Sequence, residues 1–326
     1  MRRVSARALL AAGLALAVLH TIVWLAGIVW LETAIGNTEA GLRAQGWRVD
    51  HGGYARGGWP FAARLSVPDL RLVEGGRFWQ SAGFEVAFEI GHPTRIAARL
   101  SGPHILGLPG ATPMPISGPP VVGEFGLLAP YPARLLAREL RVHTAAGSMG
   151  LDAVDLTAED DPGHGPPLNA ALVRGTVAGV DLSNAVPASA LPGRIERIAL
   201  DAGITGLATV TATPQAWRAA GGQVSIHRLT LHWGGFDGEL GGIFGLDSRL
   251  QPEGSGMIAA GGLPETIDAA VGAGIIPAGT ARTAKALLRL VPRTPDGKLT
   301  VPLALKDRTV SAARLPVVVL PEIVWR

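Results

Sequence analysis

Hydrophobic positions are distributed very unevenly along the chain. Residues 8–31 are apolar throughout except at His20 and Thr21, and no later stretch matches this run. A helix of that length rises about 35 Å, enough to cross the roughly 30 Å hydrocarbon layer with some tilt. The anchor predicted here comprises Leu9, Leu10, Leu14, Leu16, Leu19, Ile22, Val23, Trp24, Leu25, Ile28, Val29, Trp30 and Leu31. Arg2, Arg3 and Arg7 precede it. Basic flanks stay cytoplasmic, so the remainder of the chain is expected on the far side of the membrane. A cleaved signal peptide has a shorter apolar core and a small-residue cleavage site close behind it. Glu32-Thr33-Ala34-Ile35-Gly36 offers no such site, and a retained anchor is expected. Residues 32–46 continue with a partial helical stripe of Leu31, Ile35 and Leu42 up to Gly46, and read as a membrane-proximal helix.

From Trp47 onward the period changes to two. Phe84, Val86, Phe88 and Ile90 alternate with Glu85, Ala87 and Glu89, and Ile96, Ala98 and Leu100 with Arg95, Ala97 and Arg99. Late in the chain Leu299, Val301, Leu303 and Leu305 alternate with Lys298, Thr300, Pro302 and Lys306. Each set predicts a strand with one apolar and one wet face. The phase slips at His227-Arg228 and again at Pro68-Asp69, which predicts two bulged strands in a bent sheet. Pro68 and Pro302 favour edges or strand breaks. Asp237-Gly238 and Asp296-Gly297 are expected as hairpin turns. The Pro/Gly-rich stretches 107–120 and 159–167 are expected as loops, the first marking a subdivision. Helices are few: a short one opened by Thr213-Pro214, and a pair over 264–274 and 280–291 split by Pro277. The fold class is therefore mainly β: an N-terminal transmembrane helix (residues 1–31 with its cytoplasmic tip), a membrane-proximal helix (32–46), and a body (47–326) of curved, mostly antiparallel sheets with a few short helices.

Charge and composition narrow the partners. The chain carries 29 basic and 26 acidic residues, so without Arg2, Arg3 and Arg7 the remainder is formally neutral. Nucleic acid, which wants a clustered positive excess, is not an expected partner. There is no cysteine, so no disulfide holds the body together.

Candidate chemistry is sparse. His227 and His232 are five apart in a strand with no third ligand near in sequence, and surface duty is expected. Glu159-Asp160-Asp161-Pro162-Gly163-His164 offers oxygen ligands but not an EF-hand spacing, and a solvated turn is expected. Gly147-Ser148-Met149-Gly150 and Gly254-Ser255-Gly256 do not meet the G-x-S-x-G pattern and read as turns between strands. No phosphate-loop pattern occurs, nothing selects a catalytic pair, and no metal or cofactor is expected. Trp47, Trp59 and Trp79 with Tyr54, Phe61 and Phe78 read as core and sheet-edge cover, with an apolar cleft or the membrane surface as alternatives. The remaining candidate is physical: the apolar strand faces of Phe84, Val86, Phe88 and Ile90 and of Leu299, Val301, Leu303 and Leu305, which few helices are available to cover.

Gly53-Tyr54-Ala55-Arg56-Gly57-Gly58-Trp59-Pro60-Phe61, the strand pair after it, Gly91-His92-Pro93, and the ending Asp296-Gly297-Lys298-Leu299-Thr300-Val301-Pro302-Leu303-Ala304-Leu305 resemble an uncharacterised proteobacterial envelope family, domain of unknown function 2125. Arg308 stands where that family's second late turn has glycine, and Ala312-Ala313-Arg314-Leu315-Pro316 also diverges, which argues against a tight last hairpin. More distantly, a membrane helix followed by a long β-rich body is similar to the AsmA and TamB group, whose members resemble bridge-like lipid carriers. The resemblance implies an inner-membrane protein with a periplasmic body and no transferable catalytic residue. Its expected partners are the inner membrane and either lipid (or another amphipathic ligand) on an apolar sheet face or, alternatively, other envelope proteins docked on exposed edges. Hydrolysis of an envelope polymer ranks third.

Overall fold

The apolar run and the stripe behind it form one helix, α1 (Ala6–Ala44), in the computed structural model, which describes residues 6–145, 147–161, 170–183, 192–206, 213–272, 276–289, 293–294, 297–313 and 315–325. Arg2 and Arg3 lie outside the described residues, as do the side chains of Arg7 and Leu9. About half of the described residues are in strands, so the body is mainly β, and the strands pair antiparallel. The chain divides into two units, one of Met1–Leu128 with Val142–Ala145, the other of Ala129–Arg141 with Ala146–Arg326. The boundary lies past the 107–120 stretch, which belongs wholly to the first unit.

In the first unit, the short strands β1 (Arg48–Asp50) and β2 (Ala55–Gly57) pair side by side along β3 (Ala62–Glu74). β3 pairs with β4 (Arg77–Glu89), and β4 with β5 (Arg95–Gly107), which takes both β6 (Met114–Ser117) and β7 (Val121–Gly126). The 107–120 stretch is thus not all loop, because β6 adds to the far half of β5. Pro68 falls in the gap between β1 and β2, where its missing N–H removes no ladder bond. The phase change beside it is absorbed differently from a simple bulge in β3. Asp69 takes left-handed backbone (φ 54°) while Pro68↔Gly83 and Leu70↔Ser81 keep one register. The register shift falls on the next pairing, between Ser81 and Gly83 against β5.

Helix α1 lies against this sheet. Ile28 and Leu31, 2% and 1% exposed, form one cluster with Ala63, Leu65 and Val86, flanked by Trp24, Ile35, Phe84, Phe88 and Ile96. Burial of such side chains is worth about 1.5–3 kcal/mol each. Gly27 is needed at the contact, since a Cβ there would sit 2.8 Å from that of Ala63. Polar ties fix the helix along its length. Trp24 Nε1 donates to Ala62 O (2.8 Å), Arg56 pairs with Glu32 (2.6 Å), and buried Glu39 takes Arg43 (3.1 Å), His51 (2.9 Å) and the Tyr54 hydroxyl (2.8 Å). Burial, followed by the hydrogen bond to Glu39, pushes the Tyr54 phenol up to about 12, so Tyr54 remains a donor to that carboxylate.

β8 (Ala133–Thr144) leads into the second unit, where β9 (Gly147–Asp160), β10 (Ala171–Asp181) and β11 (Arg194–Ile204) are followed by β12 (Val224–Trp233), β13 (Phe236–Leu246) and β14 (Pro252–Gly261). β15 (Leu299–Lys306), β16 (Thr309–Ala312) and β17 (Leu315–Val319) complete it. Each strand from β9 to β17 pairs with its sequence neighbours, giving an antiparallel meander. The slip at His227-Arg228 is a bulge, with register shifts on both sides of β12. Four turn expectations are corrected. The β12–β13 hairpin turns at Gly234-Gly235, where Gly234 takes φ 56°, so Asp237-Gly238 enters the ladder opposite His232 and Leu231. Gly147–Gly150 opens β9, and Gly254-Ser255-Gly256 lies inside β14, where a Cβ on Gly254 would meet Ile243 O at 2.3 Å. The β15–β16 hairpin is tight despite Arg308: Asp307 (φ 50°) and Arg308 (φ 62°) make the turn between Lys306 and Thr309. Gly297 (φ 83°) turns the chain into β15 as expected, with Asp296 outside the described residues.

Helix α2 (Pro214–Ala219) is capped by the Thr213 hydroxyl, which accepts from Ala216 N (3.2 Å). Helices α3 (Leu263–Gly272) and α4 (Ala278–Leu288) flank Pro277.

Candidate functional site: an uncovered apolar sheet face

Residues directly opposed in an antiparallel ladder point to the same side. Following one such row across the second unit gives Leu156, Gly175, Leu200, Leu229, Leu240, Ile258 and Val301 on seven successive strands. Neighbouring rows on the same face read Val154, Val177, Ile198 and Leu231 to one side, and Ile204, Val224, Phe244, Gly254 and Leu305 to the other. None of these positions is charged; the row of Ile204 runs on through Ala171 and meets its one carboxylate, Asp160, at the end of β9. The opposite face is of another kind: Thr157, Arg174, Asp201 and Arg228 oppose one another there, as do Thr176, Ala199, Thr230 and Glu239.

The apolar face is poorly covered. Among the described residues, Leu299 is the one hydrophobic side chain larger than alanine that is buried in the second unit. Leu200, Leu229, Leu240, Ile258 and Val301 are half-buried, and Leu156 is exposed, its side chain lying over Gly175. The first unit differs in that Leu31, Leu65 and Val67 are fully buried. The face ends in an apolar depression of about 420 Å³ lined by Trp217, Val224, Phe244, Leu246, Ile323 and Trp325. One wall is the C-terminal segment, fixed by the Gln251 side chain, which exchanges two hydrogen bonds with the Ile323 backbone (3.0 and 2.9 Å), and by Trp325 Nε1 donating to Leu250 O (2.6 Å).

The polar face is closed on itself by ion pairs. Arg174 meets Glu159 (3.1 Å) and Asp201 (3.7 Å), Arg228 meets Glu239 (3.2 Å), and Lys298 meets Asp237 (2.8 Å). A shallow hollow of about 270 Å³ on this side includes Asp155 and Asp201. The Arg134 guanidinium, bonded at 3.0 and 2.6 Å, holds the Asp155 carboxyl below the usual range, which suits a structural ion pair and not a proton donor. His227 and His232 each face an aspartate, Asp201 at 3.1 Å and Asp237 at 3.3 Å. No group of three His, Cys, Asp or Glu able to hold a metal occurs among the described residues. Of the 159–167 stretch expected as a loop, Glu159 and Asp160 belong to β9, paired with Leu172 and Ala171, and residues 162–167 lie outside the described residues.

The two sets of apolar strand residues predicted as a ligand surface lie in different units. Val301, Leu303 and Leu305 are on the open face, with Leu299 buried at its end. Phe84, Val86 and Phe88 face α1, which covers them, and Ile90 lies just beyond β4, half-buried. Within the predicted anchor, Trp24, Ile28 and Leu31 pack on the sheet, while Leu10, Leu14, Leu16, Leu19, Ile22, Val23, Leu25, Val29 and Trp30 are exposed. The core reading of the aromatic cluster fails at Trp59 and Phe61, which are 58% and 82% exposed.

A family model described as an uncharacterized protein conserved in bacteria, DUF2125, matches residues 24–321. The chain belongs to this family. The DUF2125 match begins at Trp24, so it includes the docked part of α1 and most of both units, and it stops before Ile323 and Trp325. No curated protein and no solved structure matches the chain.

Proposed function

We propose that this DUF2125 protein is a non-enzymatic, single-pass inner-membrane protein with a cytoplasmic N-terminus, whose periplasmic second unit takes up lipid or another amphipathic molecule on its apolar sheet face. The observation that carries the reading is the uncharged seven-strand row from Leu156 to Val301, half-open where a packed domain would be closed. Contiguous apolar surface left open to solvent is a feature of binding sites, and this supports the reading. Acyl chains suit it because they are apolar along their length and ask for no hydrogen bond from the strands beneath. The likeness to the AsmA and TamB architecture, one membrane helix before a β-rich body, points the same way by analogy.

The test is photocrosslinking in cells with the full chain. A photoreactive phenylalanine analogue replaces Leu229, Leu240 or Val301 on the open face, or Thr230 or Glu239 on the other. Lipid adducts from the first set and none from the second are expected. Discrete protein adducts from the first set would refute lipid uptake and favour the alternative, an envelope docking module, for which the exposed Val318 and Val319 of β17 supply an apolar edge.

A further inference from the structure

The turn joining β2 to β3 is built to hold two large apolar side chains outward. Gly58 takes φ 89°, and its carbonyl accepts from Phe61 N (3.0 Å) and Ala62 N (2.9 Å). A Cβ at Gly58 would lie 2.4 Å from Ala62 O, so the loop closes only on glycine. Its tip is tied to α1: the His20 ring meets Pro60 O, and Trp24 Nε1 bonds Ala62 O. Trp59 and Phe61 therefore project from a fixed turn, at the level where α1 first meets the sheet.

That level bears on membrane thickness. The part of α1 before the contact, residues 6–19, rises about 21 Å, whereas the hydrocarbon layer is roughly 30 Å. The shortfall is met by the next turns, where Ile22, Val23 and Leu25 are exposed on the side of α1 away from the sheet. Lipid that covers those residues lies at the level along α1 where His20 and Trp24 hold the turn carrying Trp59 and Phe61. The β4–β5 turn is bonded to the same tip, Ile90 N donating to Phe61 O (3.1 Å), and brings exposed His92 and Arg95 to this end of the sheet, as a headgroup boundary requires.

We infer that the Trp59-Pro60-Phe61 turn is a second membrane contact, inserted beside α1 into the outer-facing leaflet, with His92 and Arg95 among the headgroups. It rests on α1 spanning the bilayer, and it would set the tilt and rotation of the first unit at the membrane surface. The cysteine-free chain permits single labels. Leu14→Cys, Trp59→Cys, Phe61→Cys and Arg48→Cys, each spin-labelled in the full chain and reconstituted in phosphatidylethanolamine–phosphatidylglycerol vesicles, are read by collision with oxygen and with a water-soluble nickel chelate. Loss of nickel broadening with gain of oxygen broadening at 59 and 61, as at 14 and unlike 48, is expected. Nickel access at 59 and 61 equal to that at 48, with 14 shielded, overturns the contact and leaves the anchor standing. Nickel access at 14 as well overturns both.

Discussion

Leu31 is where helix α1 commits to the sheet, and replacing it tests that commitment. Its side chain is 1% exposed in the cluster with Ile28, Ala63, Leu65 and Val86, whereas Val29, two residues earlier on the same helix, is 60% exposed. Leu31→Ala removes three carbons, about 2.4 kcal/mol of transfer free energy at roughly 0.8 kcal/mol per methylene. The cavity left in a packed site raises the total to about 3–4 kcal/mol. With a urea dependence near about 2 kcal/mol/M, the midpoint of unfolding falls by about 1.5–2 M. Val29→Ala costs less than about 1 kcal/mol. Urea titration of the full chain in nonionic micelles, followed by near-ultraviolet circular dichroism, separates the two. The Leu31→Ala/Leu65→Ala double variant gives the coupling directly, expected at about 0.5–3 kcal/mol. Equal midpoints for Leu31→Ala and Val29→Ala, with no coupling to Leu65, would mean that the helix does not pack on the sheet, and the account of the first unit would fail.

Further expectations follow from the same geometry. His104 is buried, stacked on Trp79, and its Nδ1 has no hydrogen-bond partner, so burial pulls its pKa below the usual value of 6.5. The unfolded chain then binds the proton more readily, and His104 costs stability as pH falls through the unfolded pKa near about 6.5; thermal melts of His104→Phe should lose part of the wild-type decline between pH 7 and pH 5. Gln251→Ala removes both bonds to Ile323, worth about 1 kcal/mol each, and should speed C-terminal trimming in limited proteolysis while leaving the rest of the chain resistant. Arg308→Gly should raise the melting temperature, since Asp307 with glycine suits the left-handed turn and relieves about 1 kcal/mol of backbone strain. Leu240→Glu, placing a charge in the middle of the open face, should abolish lipid adducts at Leu229 and Val301 in the crosslinking experiment, with the circular dichroism spectrum retained.

What the sequence disclosed was local. Alternation at 84–88 and 299–305, the cap at Thr213, the break at Pro277 and the phase slip at His227 all rest on neighbouring residues, and the structure has each of them. The β12–β13 turn was misplaced because Asp-Gly outranks Gly-Gly as a turn signal in isolation, while the register puts Trp233 opposite Phe236. Glycine pairs inside β9 and β14 looked like turns because close strand approach is a long-range demand that local reading misses. Of the site, Val301, Leu303 and Leu305 were legible, but the row they extend depends on the register of seven strands. The burial of Phe84, Val86 and Phe88 under α1 was hidden for another reason. A helix apolar on every side gives no stripe to tell Ile28 from Val29, since lipid and sheet select the same side chains.

The docking of Ile28 and Leu31 bears on how the chain must be made. A cut behind residue 31 would carry away Ile28 and Leu31, part of the first unit's interior, and expose Leu65 and Val86 to water. A chain beginning at residue 32 would lack two of the five buried residues of that cluster. The same apolar turns that make α1 long enough to span a membrane also form one wall of the first unit.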